Sequence, residues 1–281
     1  MSFGDDLENR FQSEVSRLGS AKIGEVLLFT ALANAFSSFY YNGIECTVIH
    51  GRKSFVDFVE KPSQPFYIVK DRGNKVTCEN ADLMFVVVKG KALKLCFLQN
   101  KYQRSGYSAV TNSFQATMRQ FYLLEKRPEF ENKGYKYSIL LNATHESIGS
   151  YGVFYKNSSC FDMNYCSAHA LAPLPSYKGG KSATLKMNTT ISKNSNINGD
   201  VQCNFTSGIK EFGDELAKWT IGNPIKISNT GGFFNKEIIQ ILDDWGLDAS
   251  NVERTNYIVG SGNPGAAPNL TYKYAILMKL G

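Results

Sequence analysis

Residues 81–104 read ADLMFVVVKGKALKLCFLQNKYQR, and this stretch decides the fold. It contains two apolar runs, at 83–88 and 92–98, which are separated by the short segment KGK at 89–91. Two apolar runs joined by so short a glycine-containing connection predict two antiparallel strands in a hairpin. The sequence therefore places a hairpin in a buried sheet.

The polar residues at the two ends of this hairpin form a candidate site. Folding about Gly90 places Asp82, just before the first strand, opposite Leu98 or Gln99 near the end of the second strand. Because side chains alternate along a strand, Gln99 and Lys101 share one face while Leu98 points to the other. The pattern predicts that Asp82, Gln99 and Lys101 converge at the rim of the sheet.

The N-terminal region predicts two helices before the hairpin. Residues 6–18 carry apolar side chains at intervals of three and four, which predicts a short amphipathic helix. Residues 21–41 are apolar on nearly all sides, so we expect a buried helix that Ser20 caps. Glu25 is the exception within it. At helical spacing its carboxylate faces the core and needs a cationic partner, either a metal ion or a buried Lys or Arg.

The remaining elements indicate a mixed α/β chain. Strands are expected at 44–50, 65–70, 135–142, 151–155 and 272–280, and helices at 111–126, 209–219 and 235–245. This order predicts a mixed central sheet flanked by helices. Residues 174–202 are rich in Gly, Ser, Asn and Lys, which predicts long loops or a mobile arm. We divide the chain into an α/β core at 1–155 and an elaborated C-terminal extension at 156–281. The sequence leaves open whether the extension is structurally continuous with the core.

The composition is that of an ordinary globular protein, with 43% hydrophobic residues and a formal net charge of +6. A basic balance attracts phosphate, which weakly favours a polyanionic partner. The six cysteines are scattered without a C-x-x-C pair, so neither structural zinc nor a disulfide framework is expected. A polar, acidic N-terminus and the lack of an apolar run of roughly 20 residues predict a cytoplasmic protein without a membrane segment.

The candidate residues follow a fixed order along the chain. A helix carries Glu25, Asp82 stands at the start of the hairpin, and Gln99 and Lys101 stand two residues apart at its end. This order resembles the PD-(D/E)XK nuclease superfamily, in the variant whose second acidic residue is glutamine, and the likeness covers residues 20–126. The resemblance implies a restriction-endonuclease-like core and a metal-dependent endonuclease that hydrolyses phosphodiester bonds in DNA. It also implies a role in restriction or anti-phage defence.

The resemblance implies a role for each residue of the motif. Asp82 is the central ligand of Mg²⁺ or Mn²⁺, and Glu25 and the side-chain oxygen of Gln99 complete the protein's share of the metal shell. Lys101 stabilises the charge that develops on the attacked phosphate. The family usually has an acidic residue where this chain has Gln99, and this neutral amide is the departure that bears most on metal binding.

Further polar and basic residues are expected to contact nucleic acid. Arg104 follows the second strand, while Gln115 and Arg119 are on the next predicted helix, near the rim of the sheet. Lys178 and Lys181 belong to the lysine-rich segment that is expected to act as an arm along a duplex. Symmetric cleavage of both strands favours a homodimer, and the resemblance leaves RNA open as a second substrate.

Two other classes of function stay open on the sequence alone. One is a nucleic-acid-binding module that has this fold without catalysis, an interpretation that the neutral Gln99 favours. The other is a structural or protein-interaction domain in which the hairpin is only a core element. A thiol nucleophile at Cys160 or Cys166 with His169 is not expected, because neither cysteine lies at an evident helix N-terminus or in a basic pocket.

Overall fold

A computed structural model describes residues 1–19, 22–37, 47–49, 54–89, 92–103, 112–132, 134–137, 149–189, 193–195, 201–225, 236–244 and 276–279. The helices are α1 (Phe3–Arg17), α2 (Glu25–Ser37), α3 (Met118–Lys126), α4 (Ile209–Ala217) and α5 (Lys236–Asp244). The strands are β1 (Thr47–Val48), β2 (Phe55–Phe58), β3 (Val76–Glu79), β4 (Leu83–Lys89), β5 (Ala92–Gln103), β6 (Ser113–Thr117), β7 (Phe130–Asn132), β8 (Tyr135–Tyr137), β9 (Gly149–Asn157), β10 (Cys160–Ser167), β11 (Leu171–Pro173), β12 (Ser182–Met187), β13 (Lys193–Ser195), β14 (Val201–Cys203), β15 (Phe205–Ser207), β16 (Asn223–Ile225) and β17 (Ile276–Lys279). None of these helices is long and apolar enough to cross a bilayer.

A mixed sheet of eight strands forms the centre of the fold. Its main path runs β1-β4-β5-β9-β10-β15, with β16 beside β5 and β17 beside β4. The pairs β5–β9 and β4–β17 are parallel, whereas the other neighbours in this sheet are antiparallel. Helices cover the sheet, so the predicted α/β class with a mixed central sheet flanked by helices is confirmed.

The predicted hairpin is formed by β4 and β5. Its register pairs Leu83 with Leu98, and the Asp82 amide donates to the Leu98 carbonyl at 3.2 Å. Asp82 therefore stands beside Gln99, as the folding of the sequence about its centre predicts. The turn at 90–91 lies outside the described residues.

The two faces of the hairpin enter two separate cores. Leu95 and Phe97 belong to the core that lies beneath α3 and two smaller sheets, β3-β2-β7-β8 and β11-β12-β6. Cys96 and Leu98 belong to the core beneath α1, α2 and α4. Burial on both faces explains why β4 is almost continuously apolar instead of alternating with polar residues.

The two N-terminal helices are confirmed, but the second begins later than its sequence pattern predicts. Helix α1 starts with a capping box between Ser2 and Asp5. Helix α2 begins at Glu25, and the predicted cap Ser20 lies outside the described residues. Glu25 therefore heads the helix instead of facing the core from within it. A carboxylate at this position faces the positive end of the helix dipole and keeps contact with solvent.

The strand predicted at 65–70 is wrong. Residues 65–68 are irregular and a short 3-10 helix follows at Val69–Asp71. Phe66 and Ile68 are buried, which accounts for the apolar pattern, but the Phe66 amide donates to a Glu60 carboxylate oxygen at 2.6 Å and joins no strand ladder. Burial of side chains without strand pairing thus produced the misleading pattern.

The helix predicted at 111–126 is wrong in its first part. Residues Ser113–Thr117 form β6, which pairs antiparallel with β12, and only Met118–Lys126 are helical. Gln115 accordingly lies on a strand, whereas Arg119 lies in the first turn of α3. The local sequence suits a helix, but a pairing partner about seventy residues away overrides that preference.

The loops predicted at 174–202 are also corrected. This region contributes β12, β13 and β14, and β12 is the central strand of a three-stranded sheet. Elsewhere in the second half, α4, α5 and β17 agree with the elements predicted at 209–219, 235–245 and 272–280. The two strands predicted in the middle of the chain are present as β8 and β9, although residues 138–142 lie outside the described ranges.

Candidate functional site

A cleft of about 500 Å³ opens where β4 begins and β5 ends. Its lining includes four residues of the sequence motif and two of the expected nucleic-acid contacts, namely Glu25, Asp82, Gln99, Lys101, Arg119 and Lys181. Six residues that were selected separately along the chain are thus brought to one opening.

Asp82 lies at the floor of the cleft and is held firmly. Its side chain is buried, with the residue 1% exposed. One carboxylate oxygen, Oδ2, accepts hydrogen bonds from the Asn100 backbone amide at 2.7 Å and from the Gln99 amide nitrogen at 2.6 Å. These two hydrogen bonds fix the position of the Asp82 carboxylate in the cleft.

Gln120 determines which way the Gln99 amide points. The Gln120 amide nitrogen donates to the Glu79 backbone carbonyl at 3.1 Å and also to the side-chain oxygen of Gln99. A backbone carbonyl only accepts hydrogen bonds, so the Gln120 group near Glu79 must be the NH₂ group. The Gln99 atom that accepts from this NH₂ group must therefore be the side-chain oxygen. The Gln99 nitrogen is thereby turned towards Asp82. The ligand role expected for the Gln99 oxygen stays a prediction, since it requires this amide to turn over.

Glu25 and Lys101 form an ion pair at the mouth of the cleft. The Lys101 ammonium lies 3.2 Å from Glu25 Oε1, and the Tyr102 backbone amide donates to Glu25 Oε2 at 3.2 Å. The side chains are 35% and 20% exposed, respectively. Burial raises the pKa of Glu25, the Lys101 charge opposes this shift, and the Asp82 charge adds to it. Of the two kinds of partner that the sequence allowed for Glu25, a metal ion or a basic side chain, the basic side chain is present as Lys101.

Arg119 also lines the cleft and is fixed by Asp71. Its guanidinium makes two hydrogen bonds to the Asp71 carboxylate, both of 2.7 Å. The hydrogen bonds and charge of Arg119 lower the pKa of Asp71. Lys181 also lines the cleft and is exposed. The cleft lining thus includes the exposed Lys181 and an Arg119 that is paired with Asp71.

Several lining residues were missed from the sequence. Glu79 closes β3 three residues before Asp82, and its carboxylate accepts from the Ser54 hydroxyl at 3.1 Å. The segment ENAD at 79–82 held a signal for Glu79, because two acidic residues three apart flank the start of the hairpin. Helical spacing placed Gln120 near the rim of the sheet but gave it no role, because its role arises from its contact with Gln99. Asp71 does not line the cleft itself, and it gave no signal because it acts through Arg119, a residue distant in sequence.

The other expected contacts lie apart from this cleft. Gln115 and Lys178 line a second, neighbouring pocket. Arg104 lies outside the described residues. Cys166 is buried with a raised pKa, and His169 bonds through Nδ1 to the Ser167 hydroxyl at 2.9 Å. A neutral buried thiol is a poor nucleophile, so the cysteine chemistry that the sequence disfavoured gains no support.

The donor set of the cleft suits a hard divalent cation. Asp82 and Glu25 supply carboxylate oxygens, and Mg²⁺ is usually held by one or two carboxylates together with water and substrate phosphate. Within the described ranges, no three side chains of His, Cys, Asp or Glu gather closely enough to hold an ion by themselves. Asp82 and Glu25 are the residues of the cleft that could hold such an ion.

Comparisons with models of known protein families, with curated proteins and with solved structures find no match. The likeness to PD-(D/E)XK nucleases thus stays a prediction that rests on the order and placement of the motif residues. What the cleft does must be argued from its own geometry.

Proposed function

We propose that this protein is a metal-dependent endonuclease that hydrolyses phosphodiester bonds in nucleic acid, with DNA as the first substrate to test. The observation that carries the proposal is the cleft that gathers Asp82, Glu25 and Lys101 together with Arg119 and Lys181. Carboxylates and cations that line one opening suit a substrate whose phosphates are brought to a bound metal ion.

Each side chain has a distinct role in this proposal. A bound Mg²⁺ or Mn²⁺ supplies charge neutralisation and lowers the pKa of water. Asp82 and Glu25 would hold that ion, and the hydrogen bond from the Gln99 amide orients the Asp82 carboxylate. Lys101 donates to the non-bridging oxygens of the attacked phosphate, where charge develops in the transition state. Arg119, fixed by Asp71, contacts a neighbouring phosphate.

A second candidate is a nucleic-acid-binding protein without catalysis. The observation that favours it is the ion pair between Lys101 and Glu25, in which a protein cation already neutralises a proposed metal ligand. The neutral Gln99 points the same way, because it replaces a negative ligand of the related nucleases. In this case the cleft binds phosphates through Arg119 and Lys181 and leaves them intact.

The test is cleavage of supercoiled and linear DNA, and of RNA, in Mg²⁺, Mn²⁺ or EDTA. Variants Asp82→Asn and Lys101→Met remove a ligand and a transition-state donor with little change in shape. Lys210→Met is the matched control, because this exposed lysine pairs with Asp5 where α4 meets α1. We expect a rate loss of at least about 100-fold for both cleft variants, the usual scale for such groups, and none for the control.

The possible outcomes separate the candidates. Cleavage that needs the metal and disappears in both cleft variants supports the endonuclease. Salt-dependent binding without cleavage in any metal supports the second candidate. Equal behaviour of the wild type and both cleft variants on DNA and RNA would refute catalysis in this cleft.

The biological setting is proposed from the family resemblance. It suggests a role in restriction or anti-phage defence, and a cytoplasmic location is proposed separately. Cutting both strands of a duplex symmetrically requires two active sites, so a duplex-specific enzyme is proposed to act as a homodimer. Sedimentation velocity with and without DNA tests this association.

A further inference from the structure

A second pocket of about 360 Å³ adjoins the cleft. The first residue of β12, Ser182, lines both, so the two openings are neighbours at the start of this strand. The volume is at the lower end of the range of about 300–1,000 Å³ found for small-molecule sites. A group the size of one nucleotide base therefore fits beside the cleft.

One aromatic residue, Tyr177, lines this pocket while it packs, partly buried, against the core, and it is held in place. The Tyr177 hydroxyl donates to the Gly180 carbonyl at 2.8 Å, and the Tyr177 amide donates to the Leu174 carbonyl at 2.9 Å. The Leu174 amide in turn donates to the Thr184 carbonyl on β12 at 3.0 Å. The loop that carries Tyr177 is thus tied to the sheet, and the ring is preorganised for stacking.

A polar floor faces this ring. The Gln115 amide nitrogen donates to the Thr184 hydroxyl at 2.5 Å, and both residues line the pocket. A primary amide has a second N–H and an oxygen acceptor, and Gln115 is exposed. This floor is suited to hydrogen bonding with the edge of a planar heterocycle.

Cations mark a path between the two openings. Lys178 lines the second pocket, Lys181 lines the cleft, and both are exposed on the same loop. Arg119 is fixed on the cleft side by Asp71. A phosphodiester backbone that passes from the cleft to the pocket thus meets cations along its course.

We propose that the second pocket is a nucleobase subsite, and that the substrate is single-stranded or locally unpaired nucleic acid. A base in a paired duplex is stacked on both faces, so it enters such a pocket only when it leaves the stack. The base then stacks on Tyr177 while its edge meets Gln115. This inference rests on the proposed function for the premise that the ligand is nucleic acid.

The experiment measures binding by fluorescence anisotropy in EDTA at fixed salt. The probes are a labelled single-stranded DNA, a single-stranded RNA of the same sequence, a fully paired DNA duplex and that duplex with one unpaired nucleotide. Stacking on an aromatic side chain contributes about 1–3 kcal/mol per base, so we expect the unpaired probes to bind about tenfold more tightly than the paired duplex. The DNA and RNA strands show which sugar the site prefers.

Two variants at Tyr177 separate base stacking from the non-specific electrostatic attraction of the phosphate backbone. Tyr177→Phe retains the ring, and we expect it to retain most of the preference for unpaired probes. Tyr177→Leu retains apolar volume without the ring, and we expect the preference to vanish while salt dependence persists. Circular dichroism melting establishes that each variant is folded, and a 2-aminopurine at the unpaired position reports stacking directly by quenching.

The outcomes are distinct from those of the cleavage test. Equal binding of paired and unpaired probes by the wild type, or an unchanged preference in Tyr177→Leu, overturns the subsite even if the protein cleaves DNA. If the protein prefers unpaired probes in a way that depends on Tyr177 but never cleaves them, the subsite is supported and the endonuclease proposal is refuted. If no probe binds, the subsite is overturned.

Discussion

At the scale of single residues, Gln99 explains how a neutral side chain fits a site of this kind. Its nitrogen donates to Asp82 and its oxygen accepts from Gln120. The amide thereby completes a buried chain of hydrogen bonds that starts at the Glu79 carbonyl. Gln99 is 2% exposed, which makes each of these partners costly to lose. A glutamate here could not donate to Asp82.

We predict that Gln99→Glu couples stability to the metal. The new carboxylate would stand where a nitrogen now lies 2.6 Å from an Asp82 oxygen, so two like charges would meet in a buried site. We expect a loss of roughly 1–3 kcal/mol in EDTA, and recovery in Mg²⁺. Urea unfolding with and without Mg²⁺ measures both effects.

Gln99→Met is the control for this substitution. It removes the same hydrogen bond without adding a charge, so its loss of stability should not respond to Mg²⁺. If Gln99→Glu is as stable as the wild type in EDTA, the assigned direction of the Gln99 amide is wrong.

Glu25 gives a prediction about pH. Its pKa is raised above the ordinary value of 4.5, chiefly by burial, so the folded protein holds this proton at pH values where the unfolded chain has released it. The stability that Glu25 contributes is therefore full below the ordinary pKa and falls as the pH rises through the raised pKa. Glu25→Gln does not titrate, so it should gain stability relative to the wild type between about pH 4 and about pH 7.5.

Melting temperatures of both proteins at the two pH values, in EDTA, measure this difference. The proposed function adds that Glu25→Gln loses cleavage although it is not less stable at neutral pH. A stability difference that shrinks or stays constant as the pH rises contradicts the assignment.

At the scale of elements, the junction of β6 and α3 positions one side of the cleft. The strand passes directly into the helix at Thr117, whose backbone is extended. Pairing with β12 fixes the strand, and the Met118 amide donates to the Lys181 carbonyl at 2.9 Å. Arg119 and Gln120 follow at once, so the first turn of the helix reaches both the Asp71 carboxylate and the Gln99 amide.

We predict that Asp71→Asn loosens this junction. Asp71 is buried, and an amide cannot accept both guanidinium hydrogen bonds as an ionised carboxylate does. We expect a loss of about 1–3 kcal/mol in the free energy of unfolding and weaker binding of nucleic acid, because Arg119 is no longer fixed.

Urea unfolding and anisotropy titrations give the two quantities. Glu131→Gln is the matched control, since Glu131 pairs with Lys75 at the surface and such pairs contribute only about 0–1 kcal/mol. An Asp71→Asn protein that matches the control in both measurements contradicts the positioning role of Asp71.

At the scale of the whole molecule, the second half of the chain completes the central sheet and both hydrophobic cores. Strand β10 pairs with β9 along eight residues, and β16 pairs with β5. Helix α4 packs on α1 where Gly4 and Gly213 approach closely; a Cβ on Gly213 would lie 2.9 Å from the Gly4 Cα. Both cores include side chains from beyond residue 155, among them Met163, Cys166, Leu185, Phe212 and Leu216.

We therefore predict that a fragment of residues 1–155 does not fold on its own. It would leave β9 without β10 and expose the apolar face that α4 covers. The full chain should unfold in one cooperative transition, whereas the fragment should show no cooperative transition and should aggregate. Circular dichroism and urea titration of both proteins decide this, and a soluble fragment with cooperative unfolding would establish an independent core at 1–155.

The sequence by itself determined the features that depend on local contacts. The hairpin of β4 and β5 follows from two apolar runs and a short connection, which bring Asp82 opposite Leu98 or Gln99. The structure then selects the register that pairs Leu83 with Leu98. Asp82 is thereby brought beside Gln99 without help from the rest of the chain. Helices α1 and α4 follow from apolar spacing, because each buries one face of its own.

Only the tertiary structure decided the features whose partners are remote in sequence. The pairing of β6 with β12 turned a helical pattern into a strand, and Asp71 and Gln120 entered the site through contacts that span 48 and 21 residues. The direction of the Gln99 amide was undetermined for the same reason. A side-chain amide has two ends of nearly equal shape, so its orientation depends on the donors and acceptors around it, and these come together only when the sheet and its covering elements have assembled.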